Sequence, residues 1–318
     1  MDVRAFAGRW IRRTAIAVGA AVLVATVGSF GYDAATAGRQ AVPRGLRYVR
    51  TGSVLTRYTQ WGTTGRAVVL IHGFIESADT WEPTARLLAA RHRVYALDLM
   101  GFGYTQRTGG YTMDDQVRQV LGFLDAVDLD RPLLVGHSSG AAIAAEVTLR
   151  APGRVGGLMF LDGDALATGA GARTPLRALL IDPYRTTVLR LAVRSDWLIR
   201  QVYQRQCGPS CPRLDAAGVD RWRRPLRVPG AEAALWAMFN HGVPGVSPSR
   251  LAMLAALPLP RSVVFGANDD VFDAGSPART AASIGAPPPT LIPGGRHLTM
   301  ISDPVAVTAA VDALAARA

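Results

Sequence analysis

The chain has 318 residues, of which 49% are hydrophobic and 19% charged, and this composition excludes a disordered protein. The formal net charge is +11, but more than half of the excess lies in the first fifty residues and no basic stripe with interleaved aromatics follows, so nucleic acid is not an expected partner. Five histidines and two cysteines are too few for a zinc-finger array or a disulfide-dense scaffold.

Residues 14–32 form an uncharged apolar run that follows four arginines. These 19 residues would span about 29 Å as a helix, close to the thickness of a bilayer core. Arginines before the run and few charges after it predict an extracytoplasmic body that is anchored to the cell membrane. A secreted body, cleaved near Ala37 in the small-residue sequence Ala35-Thr36-Ala37, is the alternative. Residues 1–45 are therefore interpreted as a signal-anchor and linker.

From residue 46 the sequence alternates between strand and helix patterns. Continuous apolar runs such as Ala67–Ile71 are typical of strands that are buried on both faces. Strands alternating with helices predict an α/β fold, with a mostly parallel eight-stranded sheet and helices on both faces. The predicted strands are Leu46–Arg50, Val54–Trp61, Ala67–Ile71, Val94–Leu97, Leu133–Val135, Leu158–Leu161, Ser262–Phe265 and Thr290–Ile292.

One long stretch, between residues 164 and 259, contains no predicted buried strand. An insertion of about 90 residues is too long for a simple loop between strand and helix. It is interpreted as a helical cap (165–258) over the carboxyl edge of the sheet, on a core formed by residues 46–164 and 259–318. The predicted helices are Ala78–Ala90, Thr112–Val127, Ala141–Leu149, Leu176–Gln204, Ala231–Phe239 and Val305–Ala316.

The two cysteines, Cys207 and Cys211, flank Gly-Pro-Ser within the predicted cap. Outside the cytoplasm such a pair is expected to close a small disulfide loop, and two buried free thiols are the alternative. The sequence around them offers no further ligands for a metal site.

The sequence Gly136-His137-Ser138-Ser139-Gly140 stands between a predicted buried strand and a predicted helix. A serine hydroxyl is a weak nucleophile that needs exposure, a base and donors for the oxyanion it creates. A tight G-x-S-x-G turn places its serine at the apex, and the following helix directs its N-terminus at developing negative charge. Ser138 is therefore the candidate nucleophile.

The base is expected to be a histidine that an acid orients. Of the five histidines, only His297 falls in a loop after the last strand, and Asp269 follows the strand before it. The resulting order Ser…Asp…His differs from the orders of chymotrypsin and subtilisin. Asp270, adjacent to Asp269, and Asp162, after an earlier strand, remain alternative acids.

The loop His72-Gly73-Phe74 directly follows the strand Ala67–Ile71. A glycine there lets the backbone turn so that the N–H of Phe74 can face the nucleophile. Together with the N–H of Ser139, it would form an oxyanion hole. An ordinary turn at the end of a strand is the alternative interpretation.

These pieces together resemble an α/β-hydrolase-fold serine hydrolase over about residues 46–318. The resemblance includes the HG loop with Trp81 downstream, the segment Asp98-Leu99-Met100-Gly101-Phe102-Gly103, the serine turn, the acid loop and the histidine loop. It implies Ser138 as nucleophile, His297 as general acid and base, Asp269 as the orienting acid, and Phe74 and Ser139 as oxyanion donors. Asp98 would brace the turn that holds the glycines after it.

A serine at the turn disfavours haloalkane dehalogenase and epoxide hydrolase chemistry, which use aspartate there in this fold. Hydrolysis of a carboxylic ester through an acyl-enzyme is the predicted reaction, and a lipidic ester is a reasonable substrate beside a membrane. The alternatives are a carbon–carbon bond hydrolase, an acyltransferase, a perhydrolase, or a non-catalytic binding module of the same fold. No P-loop, dinucleotide fingerprint or metal cluster is present in the sequence, so no cofactor is expected.

Overall fold

The computed structural model describes residues 3–167 and 181–318 and contains one eight-stranded sheet with the spatial order β1-β2-β4-β3-β5-β6-β7-β8. The contacts of β2 with β1 and β4 are antiparallel, and every other pairing is parallel. The predicted fold class is therefore confirmed. In chain order, β1 to β8 are Arg47–Thr51, Val54–Trp61, Arg66–Ile71, His92–Leu97, Leu133–His137, Gly157–Leu161, Arg261–Gly266 and Thr290–Ile292.

The described residues form twelve α-helices. Five of them, α5 to α9, lie between β6 and β7, where the sequence predicts the cap. In chain order, α1 to α12 are Val3–Ala35, Glu82–Leu88, Met113–Ala126, Ser139–Arg150, Tyr184–Arg194, Asp196–Cys207, Ala216–Arg223, Ala231–His241, Pro248–Ala252, Ser276–Ser283, Thr299–Ser302 and Pro304–Ala315.

The apolar core lies on both faces of the sheet. Successive residues of a strand point to opposite faces. Val69 and Ile71 of β3 accordingly pack with residues of α3 and α4, whereas Val68 and Leu70 pack with residues of α2 and α12. All four side chains are fully buried. Burial on both faces explains why β3 is a continuous apolar run rather than an alternating one.

Two predicted helices are interrupted in the structure. Ala78–Ala90 begins with a 3₁₀ turn, Ala78–Trp81, and becomes an α-helix only at Glu82, because Pro83 suits a first helical turn and cannot donate inside a helix. Leu176–Gln204 contains two helices, α5 and α6, with a break at Ser195. The start of that predicted helix, residues 176–180, lies outside the described residues.

The described chain divides into two compact units, one containing α1 and α5 and the other containing the sheet and the helices packed on it. In the first unit the hydroxyls of Thr26 and Tyr184 are 2.5 Å apart, and Thr187 donates to the carboxylate of Asp33 at 2.9 Å. The segment Trp10–Ala35 of α1 has a mean hydropathy of 1.9 and is almost entirely exposed. It is long and apolar enough to cross a membrane, as a signal sequence also is. The domain boundaries at 46, 165 and 259 stay a prediction.

Cys207 and Cys211 form a disulfide with their Cα atoms 5.8 Å apart. Cys207 is the last residue of α6, so the bridge closes the turn that ends this helix. The expected disulfide is confirmed, and the alternative of two free thiols is wrong.

Candidate active site

Ser138 occupies the turn between β5 and α4 with φ of 50° and ψ of −122°. A non-glycine residue in this region carries about 1–3 kcal/mol of strain, which persists only where the surrounding structure imposes it. Here the Ser138 N–H donates to the carbonyl of Leu161 on the adjacent β6 at 3.0 Å. The strained turn follows from the tight connection between a buried strand and a helix that packs back against the sheet.

Small residues allow this tight connection. A Cβ on Gly136 would lie 2.4 Å from the carbonyl oxygen of Gly140, and a Cβ on Gly140 would lie 2.5 Å from that of Ile71. Gly163, which the sequence analysis did not single out, fits equally closely, since a Cβ there would lie 2.5 Å from the carbonyl oxygen of Ser138. Any side chain at these positions would displace the turn.

His297 lies between Ser138 and Asp269. Its Nε2 is 3.1 Å from the Ser138 Oγ, and its Nδ1 is 2.9 Å from the Asp269 Oδ2. The side chains of His297 and Asp269 are 6% and 3% exposed, so the hydrogen bond between them is shielded from water. The structure therefore brings together, in one hydrogen-bonded chain, three residues that are far apart in the sequence.

In the loop after β7, Asp269 faces His297 and Asp270 does not. The Asp269 N–H donates to the carbonyl of Gly266 at 3.1 Å, and the Asp269 Oδ1 accepts the N–H of Val271 at 2.8 Å. These bonds leave the Asp269 Oδ2 directed at His297. Asp270 instead faces Arg205 at 3.5 Å on the protein surface.

Asp162, the third candidate acid, bonds to neighbouring loops and not to the ring of His297. Its carboxylate accepts the N–H of Gly266 at 2.7 Å and the hydroxyl of Thr299 at 2.5 Å. Complete burial raises the pKa of Asp162 to about 6. Asp162 thus joins the acid loop to the segment that follows the histidine.

The HG loop lies against the nucleophile. A Cβ on Gly73 would lie 3.0 Å from the Ser138 Cβ, and the next residue, Phe74, is the predicted oxyanion donor. Ser139 is the first residue of α4, where helix N–H groups lack an acceptor inside the helix. Both N–H groups are therefore placed near Ser138, and their role as donors stays a prediction.

His72 fixes the shape of this loop through a neutral ring. Its Nε2 accepts the N–H of Leu99 at 3.0 Å, so its Nδ1 carries the proton and donates to the carbonyl of Gly73 at 2.7 Å. Burial lowers the pKa of His72, in agreement with this neutral tautomer.

Asp98 braces the next loop, as the resemblance implies. Its carboxylate is fully buried and accepts the N–H groups of Ala78 and Tyr104, each at 2.7 Å. A Cβ on Gly103 would overlap this carboxylate at 2.0 Å. Asp98 thus holds the segment after β4 to the segment after β3.

A hydrogen-bonded pair that the sequence did not predict lies beside the nucleophile. His137, which the sequence shows only as part of the serine turn, lies with its Nδ1 3.0 Å from Oε1 of Glu76 and its Nε2 2.7 Å from the backbone oxygen of His297. Glu76 also accepts the N–H of Gly73 at 3.2 Å. The only signal in the sequence is topological, because the residues after β3 and those at the end of β5 meet at one sheet edge.

Aromatic rings lie beside the histidine and around Phe74 of the HG loop. Phe74 makes edge contacts with Phe102 and Phe239, each with centroids 5.4 Å apart, and the centroid of Phe272 is 5.9 Å from that of His297. Such rings offer an apolar surface to a small molecule.

A separate cavity of about 330 Å³ lies behind the HG loop. Its lining includes Glu76 together with the aromatic side chains of Tyr203 and Trp222. Ser138 is not among the described residues that line it. The cavity therefore borders Glu76, the acid of the buried pair.

Comparison with known proteins agrees with this architecture. A family model described as the α/β hydrolase fold matches residues 66–185. The 2-hydroxy-6-oxo-2,4-heptadienoate hydrolase of Pseudomonas putida is 37% identical over 120 residues, which cover 36% of this chain and 43% of that protein. The pimeloyl-[acyl-carrier protein] methyl ester esterase of Edwardsiella ictaluri is 28% identical over 265 residues, which cover 79% of this chain and 95% of that protein.

Among solved structures, a membrane phospholipase A superposes with a TM-score of 0.64 at 23% identity, covering 98% of this chain and 99% of that one. The chain has the α/β-hydrolase fold, and the resemblance seen in its sequence is confirmed. The chain spans less than half the length of several curated relatives that it matches at 30% identity or more.

Proposed function

We propose that this chain is a serine hydrolase that cleaves a carboxylic ester through an acyl-enzyme on Ser138. The observation that carries the proposal is the hydrogen-bonded chain from the Ser138 hydroxyl through His297 to Asp269. A carboxylate on Nδ1 leaves the lone pair on Nε2, where it can accept the proton of the hydroxyl.

The reaction proceeds in two halves. Ser138 Oγ attacks the ester carbonyl while its proton moves to Nε2 of His297, and Asp269 stabilises the imidazolium. The N–H groups of Phe74 and Ser139 bind the oxyanion. Collapse releases the alcohol, which takes the proton from His297. A water molecule then attacks the acyl-enzyme with the same histidine as base, and the acid leaves as Ser138 regains its proton.

The decisive experiment combines turnover with covalent labelling. Full-length protein in detergent is assayed with nitrophenyl esters of increasing acyl length and treated with a fluorophosphonate, with Ser138→Ala as the control. We expect the wild type to hydrolyse at least one ester and to be labelled, and Ser138→Ala to do neither. A wild type that does neither would favour the non-catalytic binding module. Activity that peaks at short chains would refute a lipidic substrate.

A second candidate reaction is favoured by the similarity to the Pseudomonas putida protein, whose name gives 2-hydroxy-6-oxo-2,4-heptadienoate as its substrate. Such a substrate would meet the same serine and histidine. Loss of the dienoate absorbance under conditions where no nitrophenyl ester is cleaved would select this reaction over ester hydrolysis.

We also propose that α1 anchors the body to the extracytoplasmic face of the cell membrane. The exposed apolar segment Trp10–Ala35, the arginines before and at its start and the Cys207–Cys211 disulfide support this arrangement. Membrane fractions washed with alkaline carbonate should retain the full-length protein. A soluble form whose N-terminus lies near Ala37 would support cleavage instead.

A further inference from the structure

The buried pair formed by Glu76 and His137 touches each of the three loops that the proposed reaction uses. His137 directly precedes Ser138, and its Nε2 is bonded to the backbone of His297. Glu76 is bonded to the N–H of Gly73, the neighbour of the proposed oxyanion donor. One pair of side chains therefore links the nucleophile turn, the histidine loop and the HG loop.

The hydrogen bonds define the charge of His137. Its two ring nitrogens face a carboxylate and a carbonyl, which only accept, so both nitrogens carry protons and the ring is an imidazolium. The charged and titratable groups around it are Glu76, Asp162 at 4.0 Å, His297 and the neutral His72. Burial lowers the pKa of His137, but Glu76, and after it Asp162, outweigh this and raise the pKa to about 9.

We propose that His137 is a positioning residue, held by Glu76, that fixes the backbone of His297 against Ser138; this rests on the proposed function. The 2.7 Å bond to the His297 carbonyl fixes the backbone from which the reacting imidazole projects. Misplacement of a reacting group by about 1 Å can cost about 10²-fold in rate. Removing the bond should therefore slow acylation without weakening substrate binding.

Glu76 also balances charge during the reaction. When His297 accepts the proton of Ser138, its ring becomes a second imidazolium, with its centroid 4.9 Å from that of His137. Two adjacent buried cations repel each other, and the carboxylate of Glu76 offsets this repulsion. The acid thereby supports both the geometry and the charge that the proposed mechanism needs.

The first test compares His137→Gln with His92→Gln. His92 is also a buried histidine bonded to a carboxylate, Asp312, at 2.8 Å, but it lies at the start of β4, away from the carboxyl edge of the sheet. In the full-length protein, we expect His137→Gln to lower kcat on a nitrophenyl ester and the fluorophosphonate labelling rate at least tenfold, with KM within threefold. His92→Gln should keep kcat and the labelling rate within twofold.

The second test removes the acid and supplies another. Glu76 lines the cavity of about 330 Å³, which has room for a small carboxylate. Glu76→Ala should lower the labelling rate at least tenfold. Formate should then raise the labelling rate of Glu76→Ala at least fivefold, and it should not change the labelling rate of His137→Gln. This test still decides the question where His137→Gln does not fold, because it acts on the acid alone.

Two results would overturn the positioning role: a labelling rate in His137→Gln within twofold of the wild type, or a loss in Glu76→Ala that formate does not repair. Neither result depends on the natural ester being known. A wild type that is not labelled at all would instead refute the proposed function, so the two failures are distinguishable.

Discussion

Asp269→Asn is the substitution that most directly tests the proposed chemistry. The Asp269 Oδ1 accepts the N–H of Val271 at 2.8 Å, and its Oδ2 faces the Nδ1 of His297 at 2.9 Å. An asparagine would keep its oxygen on Val271, so its amide nitrogen would face the imidazole. Because that amide donates, His297 would carry its proton on Nε2 and could not accept one from Ser138.

The expected loss can be estimated from this geometry. Opposite charges about 4 Å apart interact by about 4 kcal/mol at an effective dielectric constant of about 20, which corresponds to about 10³-fold in rate. The wrong tautomer adds to this loss, and in such triads the same change lowers kcat by about 10⁴-fold. We therefore expect kcat of Asp269→Asn to fall by about 10³- to 10⁴-fold with little change in KM.

The matched control is Asp270→Asn. Asp270 carries the same charge one residue away, but its side chain is 49% exposed and is paired with Arg205 at 3.5 Å, and such surface pairs contribute little. In steady-state hydrolysis of a nitrophenyl ester, the kcat of Asp270→Asn should be within twofold of the wild-type kcat. A kcat for Asp269→Asn within tenfold of the wild-type kcat, or an equal loss of kcat in Asp270→Asn, would refute the assignment of the acid.

The buried charge, the crowded turn and the disulfide each lead to a measurable effect. Because folding raises the pKa of His137 to about 9, its protonated ring stabilises the fold fully below about pH 6.5, and this contribution is lost as the pH rises through 9. The free energy of unfolding in urea should therefore fall by about 3 kcal/mol between pH 6 and pH 10, and this fall should be absent in His137→Gln. Gly163→Ala should lower kcat at least tenfold, because its Cβ would meet the backbone of Ser138, whereas Gly153→Ala, with open space around it, should keep kcat within twofold. Reduction of the Cys207–Cys211 bridge should lower the free energy of unfolding by about 2 kcal/mol, and a double serine variant should not respond to reductant.

Local sequence patterns were sufficient to predict the eight strands, because each buried strand is a short apolar run bounded by turn residues. The candidate site residues were predictable for a related reason. Ser138 lies in a motif with a defined strand–turn–helix context, and His297 and Asp269 each follow a strand whose position in the sequence was clear. The sequence left Asp270 and Asp162 as alternative acids, and the hydrogen bond from the Asp269 N–H to the Gly266 carbonyl helps to explain why Asp269 is the one that faces His297.

The pairing of Glu76 with His137 could not be predicted in the same way. The two residues are 61 positions apart, and neither lies in a pattern that indicates a partner. Their contact follows only from the strand order, which places β3 beside β5 with Ile71 opposite Gly136. The start of the α-helix at Glu82 could have been predicted, because Pro83 is a signal for the first turn of a helix. The apolar pattern of Ala78–Ala90 concealed this signal.

Strand order also explains why the candidate site is so densely bonded. The loops after β3, β5, β6, β7 and β8 all emerge at one edge because these strands are parallel neighbours. Within the loop after β3, Gly73 is bonded to Glu76. Between loops, Glu76 is bonded to His137, His137 to the carbonyl of His297, and Asp162 to both Gly266 and Thr299. A reaction that depends on distances near 3 Å needs such ties, since loops are otherwise the most mobile parts of a domain. The buried ions beside Ser138 are therefore best understood as the fixed frame for a hydroxyl, an imidazole and a carboxylate.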